Sequence, residues 1–277
     1  MEIHDVSGGG GLHLHVREWG PKNGPAILFI HGWSQNHLCW KRQWESALAD
    51  EFRLVAFDCR GHGMSQAPPE PEHYTNSQLW ADDIRSIIDQ LHLARPVLVG
   101  WSYGGYVICD YLRSYGETAI AGINFVEGAV TLNQEAFGTL IGPGFFTHVP
   151  GATVEDLPTN ITAIRSFVHA CATQALPPEV VEAALCWSII VSPKVRLALV
   201  TRDLNNDDVL RGLTVPVLIS QGRSDTLVLP AMGEHILRTC AGATVTWYDS
   251  IGHLPFLEAP DRFNQELAEF TRQTASH

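Results

Sequence analysis

Ser102, Asp225 and His253 are the residues of this chain whose types and settings could together run nucleophilic chemistry. Ser102 stands in Gly100-Trp101-Ser102-Tyr103-Gly104-Gly105, directly after the apolar run Val97-Leu98-Val99. Asp225 closes Gly222-Arg223-Ser224-Asp225, which follows the run 215–220. His253 lies in Ser250-Ile251-Gly252-His253, just after Val245-Thr246-Trp247-Tyr248. A serine hydroxyl is a weak nucleophile until a base takes its proton. Histidine does this when a carboxylate fixes its tautomer and stabilises the imidazolium. The G-x-S-x-G pattern reads as strand, sharp turn and helix, with the serine exposed at the bend. Strand and helix then approach so closely that side chains at 100 and 104 would collide, which accounts for the two glycines. Alone the pattern is weak, because glycine and serine are common. Its weight comes from the acid and the histidine at two other strand ends.

The elements that must position these residues alternate along the chain. Strand runs are expected at 26–30, 52–57, 96–101, 120–126, 215–220 and 245–248, those at 26–30, 120–126 and 215–220 read as buried. The segment 12–16 alternates and reads as the edge strand of an antiparallel hairpin, with His13 and His15 on one solvated face and no third metal ligand nearby. Helices are expected over 36–49, 75–93 (inner stripe Ile84, Ile87, Ile88, Leu91), 103–114, 230–239 and 260–274. This rhythm implies an α/β fold with a mostly parallel central sheet flanked by helices, and sites at the carboxyl ends of its strands. It breaks between Glu127 and Asp208, where glycine and proline punctuate short helical patterns such as Ser192-Pro193. The chain therefore divides into a core, 1–127 with 209–277, and an inserted helical cap, 128–208.

Bulk composition narrows the function classes. The 277 residues carry a net charge of -12 with no basic stripe, which argues against a nucleic-acid partner. The six cysteines are scattered without a C-x-x-C, as in a reduced, cytoplasmic protein. No signal-peptide pattern opens the chain, and the longest apolar stretch, near Leu185 to Val191, is too short to span a bilayer. No metal, cofactor or membrane partner is expected. The oligomeric state is left open.

Taken together, His31-Gly32-Trp33, the run 58–65 (Asp58-Cys59-Arg60-Gly61-His62-Gly63-Met64-Ser65), the Ser102 turn, Gly222-Arg223-Ser224-Asp225 and Gly252-His253 resemble the α/β-hydrolase superfamily along the whole chain. The small esterases, lactonases, C–C bond hydrolases and haloperoxidase-like perhydrolases are the members it is most similar to. The resemblance implies Ser102 as nucleophile, His253 as base and Asp225 as acid. It also implies an oxyanion hole made by the backbone N–H groups of Trp33 and Tyr103. Glu127 is the competing acid, because some members carry the acid after that strand. His31, His62, Asp58 and Arg60 read as loop supports.

Trp33, Trp101 and Tyr103 crowd the serine, and the cap offers Phe137, Leu140, Ile141, Phe145, Phe146 and Trp187. The expected pocket comprises Trp33, Trp101, Tyr103, His37, Phe145, Phe146 and Trp187. Its apolar character suits a small hydrophobic ester or lactone. Three alternatives stay open: cofactor-independent oxygenation of a quinolone-type heteroaromatic by a histidine–acid dyad, C–C bond hydrolysis or perhydrolysis, and ligand reception on a hydrolase scaffold. An aspartate-nucleophile reaction is disfavoured by serine at 102.

Overall fold

The computed structural model describes residues 1–275. Eight strands form one sheet: β1 (Glu2–Ser7), β2 (His13–Trp19), β3 (Ala26–Ile30), β4 (Arg53–Phe57), β5 (Val97–Trp101), β6 (Gly122–Val126), β7 (Val217–Gly222) and β8 (Ala243–Tyr248). Their order is β1-β2-β4-β3-β5-β6-β7-β8. The β1–β2 and β2–β4 pairs are antiparallel and all others parallel. Every residue of β3, β5, β6 and β7 is buried, as continuous apolar runs require of strands covered on both faces. β5 is central, pairing Gly100 with Ile30 on one side and Phe125 on the other. The Ser102 turn therefore leaves the middle of the sheet.

The covering helices begin where the sequence supplies caps. Helix α1 (Ser77–Gln90) starts at Asn76, whose side chain accepts from the Gln78 N–H, and buries Trp80, Ile84, Ile87 and Ile88. Helix α2 (Gly104–Tyr115) follows the serine turn and is buried from Gly104 to Leu112. Between β6 and β7 come α3 (Pro143–Ala152), α4 (Leu157–Ala170), α5 (Pro178–Ile189) and α6 (Pro193–Val200), each with proline in its first turn. Helices α7 (Pro230–Thr239) and α8 (Pro260–Ala275) complete the layers.

Two buried arginines fasten the helical insertion to the sheet. Arg196 reaches Ser34 Oγ at 2.9 Å, Ala152 O at 2.8 Å and Asn160 Oδ1 at 2.9 Å. Arg202 holds both Asp110 oxygens, at 2.8 and 2.7 Å, and donates to the Tyr103 hydroxyl at 3.1 Å. Among the described residues no single helix is long and apolar enough to cross a membrane.

Four expectations change. The sheet edge is β1, and β2 lies inside it, because the polar run Glu2–Ser7 pairs with β2 across the full register. His15 is consequently buried against His37, not solvated, while exposed His13 bonds Asp5 at 2.7 Å. The expected helix over 36–49 is three short turns, since Ser46 Oγ bonds the Gln43 carbonyl and receives the Leu48 N–H, interrupting the ladder. The insertion also contains a two-stranded ribbon, Thr131–Leu132 against Leu204–Asn205, too short to leave a periodic signal.

Candidate active site

The serine turn is built by the tight approach that its glycines imply. A Cβ at Gly104 would lie 2.6 Å from the Ile30 carbonyl oxygen, and one at Gly100 would lie 2.7 Å from the Gly104 oxygen. Ser102 is held at φ +53°, an uncommon conformation for a non-glycine residue. Three backbone bonds fix it there: Ser102 N–H to Val126 O at 3.0 Å, Gly105 N–H to Ser102 O at 2.9 Å and Ala129 N–H to Ser102 O at 3.0 Å.

Asp225 and His253 meet across the ends of β7 and β8. His253 Nδ1 lies 2.6 Å from Asp225 Oδ2, and both side chains are buried. The other Asp225 oxygen accepts the N–H groups of Leu227 at 2.8 Å and Val228 at 3.2 Å. His253 is held by its own backbone as well. Its N–H donates to Cys171 O at 2.8 Å, and its carbonyl accepts the Trp101 indole N–H at 2.9 Å. Pinning Nδ1 against the carboxylate leaves Nε2 as the basic nitrogen.

The loop after β3 approaches from the other side. A Cβ at Gly32 would stand 3.2 Å from the Ser102 Cβ, so Trp33 follows at the serine's edge. Among the described residues the N–H groups of Trp33 and Tyr103 meet no protein acceptor, whereas those of Ser102, Gly105 and Gln35 do.

Two neutral histidines brace this loop. His31 Nε2 accepts the Cys59 N–H at 2.9 Å, so its proton sits on Nδ1 and is donated to Gly32 O at 2.8 Å. His62 Nε2 accepts the Ser34 N–H at 3.3 Å and its Nδ1 donates to Arg60 O at 2.9 Å. Burial lowers His31 to about 4. Burial, followed by the nearby His31, lowers His62 to about 3.

Ser102 and His253 open onto a cavity under the helical insertion, walled by Trp33, Tyr103, Phe145, Phe167, Leu227 and Val228, among others. The phenols of Tyr103 and Tyr106 are tied to Leu199 O and Thr131 O, at 3.3 and 3.0 Å, so the walls stay apolar. Burial raises the Tyr103 phenol to about 12, keeping it neutral. The arrangement offers an imidazole, a hydroxyl, two backbone donors and an apolar chamber.

Four residues expected at the pocket lie elsewhere. Trp101 turns behind the serine, its ring 5.5 Å from that of His253, and faces a second space with Trp187. Trp187 bonds Gln35 Oε1 at 2.7 Å, which holds it there. Phe146 is 40% exposed and packs edge-on against Phe137 and Phe145. His37 is committed to Asp58, with Nδ1 2.6 Å from Oδ1 and its N–H bonded to the same oxygen at 2.9 Å.

Glu127 is brought to the site but not to its mouth. It is wholly buried after β6, accepting the Gly222 N–H and the Gln221 amide, and its carboxylate lies with Asp225 and His253 in one cluster of polar atoms, all within 4.8 Å of one another. Tyr106, Phe167, Leu227 and Val228 are wall residues that the sequence patterns do not single out. Leu227 and Val228 carry a usable signal, being an apolar pair that begins two residues past Asp225. Phe167 carries none, because it lies in an ordinary amphipathic stretch.

A model of the family described as "Alpha/beta hydrolase family" matches residues 27–266. The crystal structure of a candidate aryl esterase from Burkholderia cenocepacia superposes with a TM-score of 0.94 at 32% identity, covering 100% of both chains. An esterase from Rhodococcus sp. ECU1013 gives 0.91 at 34% identity, over 98% of this chain and 99% of its own. A hydrolase-superfamily protein of Bacillus subtilis is 25% identical over 90% of this chain and 92% of its own.

Proposed function

The chain belongs to the alpha/beta hydrolase family, and we propose that it cleaves small hydrophobic carboxylic esters, lactones included, through an acyl-Ser102 intermediate. One observation carries this reading. A serine on a strained turn and a histidine fixed by a buried carboxylate share an apolar cavity, beside two backbone donors that meet no protein acceptor among the described residues. The Burkholderia and Rhodococcus proteins, described as a candidate aryl esterase and an esterase, support the substrate class.

The steps follow from the geometry. His253 Nε2 takes the Ser102 proton as Oγ adds to the ester carbonyl. Asp225, on Nδ1, holds the imidazole in the required tautomer and stabilises the imidazolium. The carbonyl oxygen becomes an oxyanion and takes the N–H groups of Trp33 and Tyr103, each worth roughly 2.7–4 kcal/mol in the transition state. The imidazolium then protonates the departing alkoxide and leaves acyl-Ser102. Water, deprotonated by His253, repeats the addition and frees the acid. The apolar wall of the cavity disfavours charged acyl and leaving groups.

An activated aryl ester should release its phenol in a burst stoichiometric with enzyme, and a fluorophosphonate should label Ser102. Ser102→Ala should abolish burst and label and reduce kcat/KM by about 10³-fold or more. Full turnover in that variant would refute the acyl-enzyme mechanism. Oxygenation by a histidine–Glu127 dyad finds less support, since Nδ1 of His253 is already taken by Asp225.

A further inference from the structure

Glu127 is a second buried carboxyl behind the His253–Asp225 pair, and the acyl-enzyme mechanism does not use it. Its setting is unusual in three ways. It is 0% exposed. Its φ is +46°, in the left-handed region that disfavours a residue with a long side chain, and it is held there by its N–H bond to Ser220 O at 2.9 Å. The donors its two oxygens receive, the Gly222 N–H and the Gln221 amide, are both neutral.

Asp225 is equally particular. Three of its acceptor positions are filled, by His253 Nδ1, Leu227 N–H and Val228 N–H. A carboxylate has about four such positions. The Glu127 carboxyl stands beside it within the shared cluster. Two ionised carboxylates within 4.8 Å of each other repel strongly in a buried site, so one of the two retains a proton.

We propose that Glu127 is a positioning residue, kept as a neutral carboxylic acid that donates its proton in a hydrogen bond to Asp225 and so completes that carboxylate's shell. The idea rests on the role proposed above for Asp225 and His253. Burial, and after it the Asp225 charge, push the Glu127 carboxyl well above the usual carboxylate range, in the direction this requires. The other titratable groups facing the cluster are His253, Glu258 (which accepts the Gly252 N–H at 3.0 Å) and the buried Cys171 thiol, itself pushed up by burial. The effect on chemistry is a tuned base. A hydrogen bond given to Asp225 spreads its charge, so Asp225 stabilises the His253 imidazolium less.

Two measurements decide this. Isotope-edited infrared spectroscopy of the whole protein with 13C-labelled glutamate, at pH 8, should show an un-ionised side-chain carboxyl that is absent from Glu127→Gln. Its absence from the wild type would overturn the proposal. The pH profile of kcat/KM is the second. Glu127→Gln keeps size, neutrality and an N–H for Asp225, so its acid limb should stay in place and kcat remain within about threefold. Were Glu127 ionised, the same substitution would remove a negative charge near His253 and move that limb down by about one pH unit, refuting the neutral acid. Glu127→Leu, lacking the donor, should move the limb up. A limb unmoved in a folded Leu variant would mean a purely structural role. Should that variant not fold, the infrared band and the Gln profile still decide. The band should also persist in Ser102→Ala, so loss of the acyl-enzyme reading and loss of this one are separable.

Discussion

Two histidine–carboxylate pairs in this molecule have the same core geometry and opposite surroundings. His253 and Asp225 are 2.6 Å apart through Nδ1, and so are His37 and Asp58. Both pairs are buried, and both stand at carboxyl ends of parallel strands. The first borders the cavity that contains Ser102. In the second, Nε2 of His37 is buried without a hydrogen-bond partner, and its ring packs 5.4 Å from His15 and 6.1 Å from Trp44. Asp58 spends its remaining capacity on main chain, accepting His37 N–H at 2.9 Å and Met64 N–H at 2.8 Å. Burial alone would raise the Asp58 carboxyl, but the bond and charge of His37, with those N–H groups, outweigh it and bring it to about 2. On the function proposed above, a histidine–aspartate pair is thus no signature of catalysis by itself. What separates a base from a strut is the free face of the ring, which needs space and a nucleophile.

The sharpest way to break that distinction is to cut both pairs and compare. His253→Ala and Asp225→Asn should each lower kcat/KM by about 10³–10⁴-fold. Asp58→Ala should do the reverse. It strands the His37 imidazole and two main-chain donors, and should cost about 3 kcal/mol of stability in urea denaturation while kcat per folded molecule stays within about fivefold. Equal loss of kcat in Asp58→Ala and Asp225→Asn would make the two pairs functionally alike and erase the contrast.

The two pairs also differ in how plainly the amino-acid order announces them. Asp225 and His253 each follow a strand run within a few residues, so their placement at one end of the sheet comes with the parallel topology. His37 has no such tie to Asp58, its partner 21 residues away. Only the side-by-side pairing of β3 and β4 joins them, and no local pattern signals it. Hence His37 reads as a pocket residue when only its place after the Trp33 loop is considered. The insertion is hard to read for a related reason. Phe145 and Phe146 are adjacent on one helix, and which of them faces the cavity depends on how α3 lies over the sheet. Strand β1 escapes a pattern reading because only Val6 of its six residues is buried, leaving no alternation to find. Helix ends shift by a residue or two wherever caps decide them, as at Asn76.

Between the two pairs lies the loop Gly32-Trp33-Ser34, and its pH response is a milder test. His31 and His62 are buried as neutral rings, with folded values near 4 and 3 against an ordinary value of 6.5. A lowered value means stability that is present above pH 6.5 and lost as pH falls toward those folded values, because only the unfolded chain then takes up the protons. By pH 5 each ring should cost about 2 kcal/mol relative to pH 7. Urea titrations at the two pH values should show this drop, and His62→Gln should recover about half of the part due to these two histidines. An unchanged drop in His62→Gln would mean that this ring does not carry the acid sensitivity assigned to it.

The smallest expected effect is the most discriminating for the strut. In His37→Asn the carboxamide nitrogen takes nearly the position of Nδ1, so the bond to Asp58 survives. The substitution removes Nε2, a buried polar atom without a partner, which is favourable. It also removes ring contacts with His15 and Trp44, which is not. These terms oppose each other, so net stability should move by only about 1 kcal/mol, and kcat/KM by less than about twofold. The corresponding change at His253 leaves Nδ1 mimicked in the same way but deletes Nε2, the base in the mechanism proposed above, and should therefore abolish turnover. A tenfold fall in kcat/KM for folded His37→Asn would show that the second pair reaches the reaction through the loop between them, and the contrast between strut and base would no longer hold.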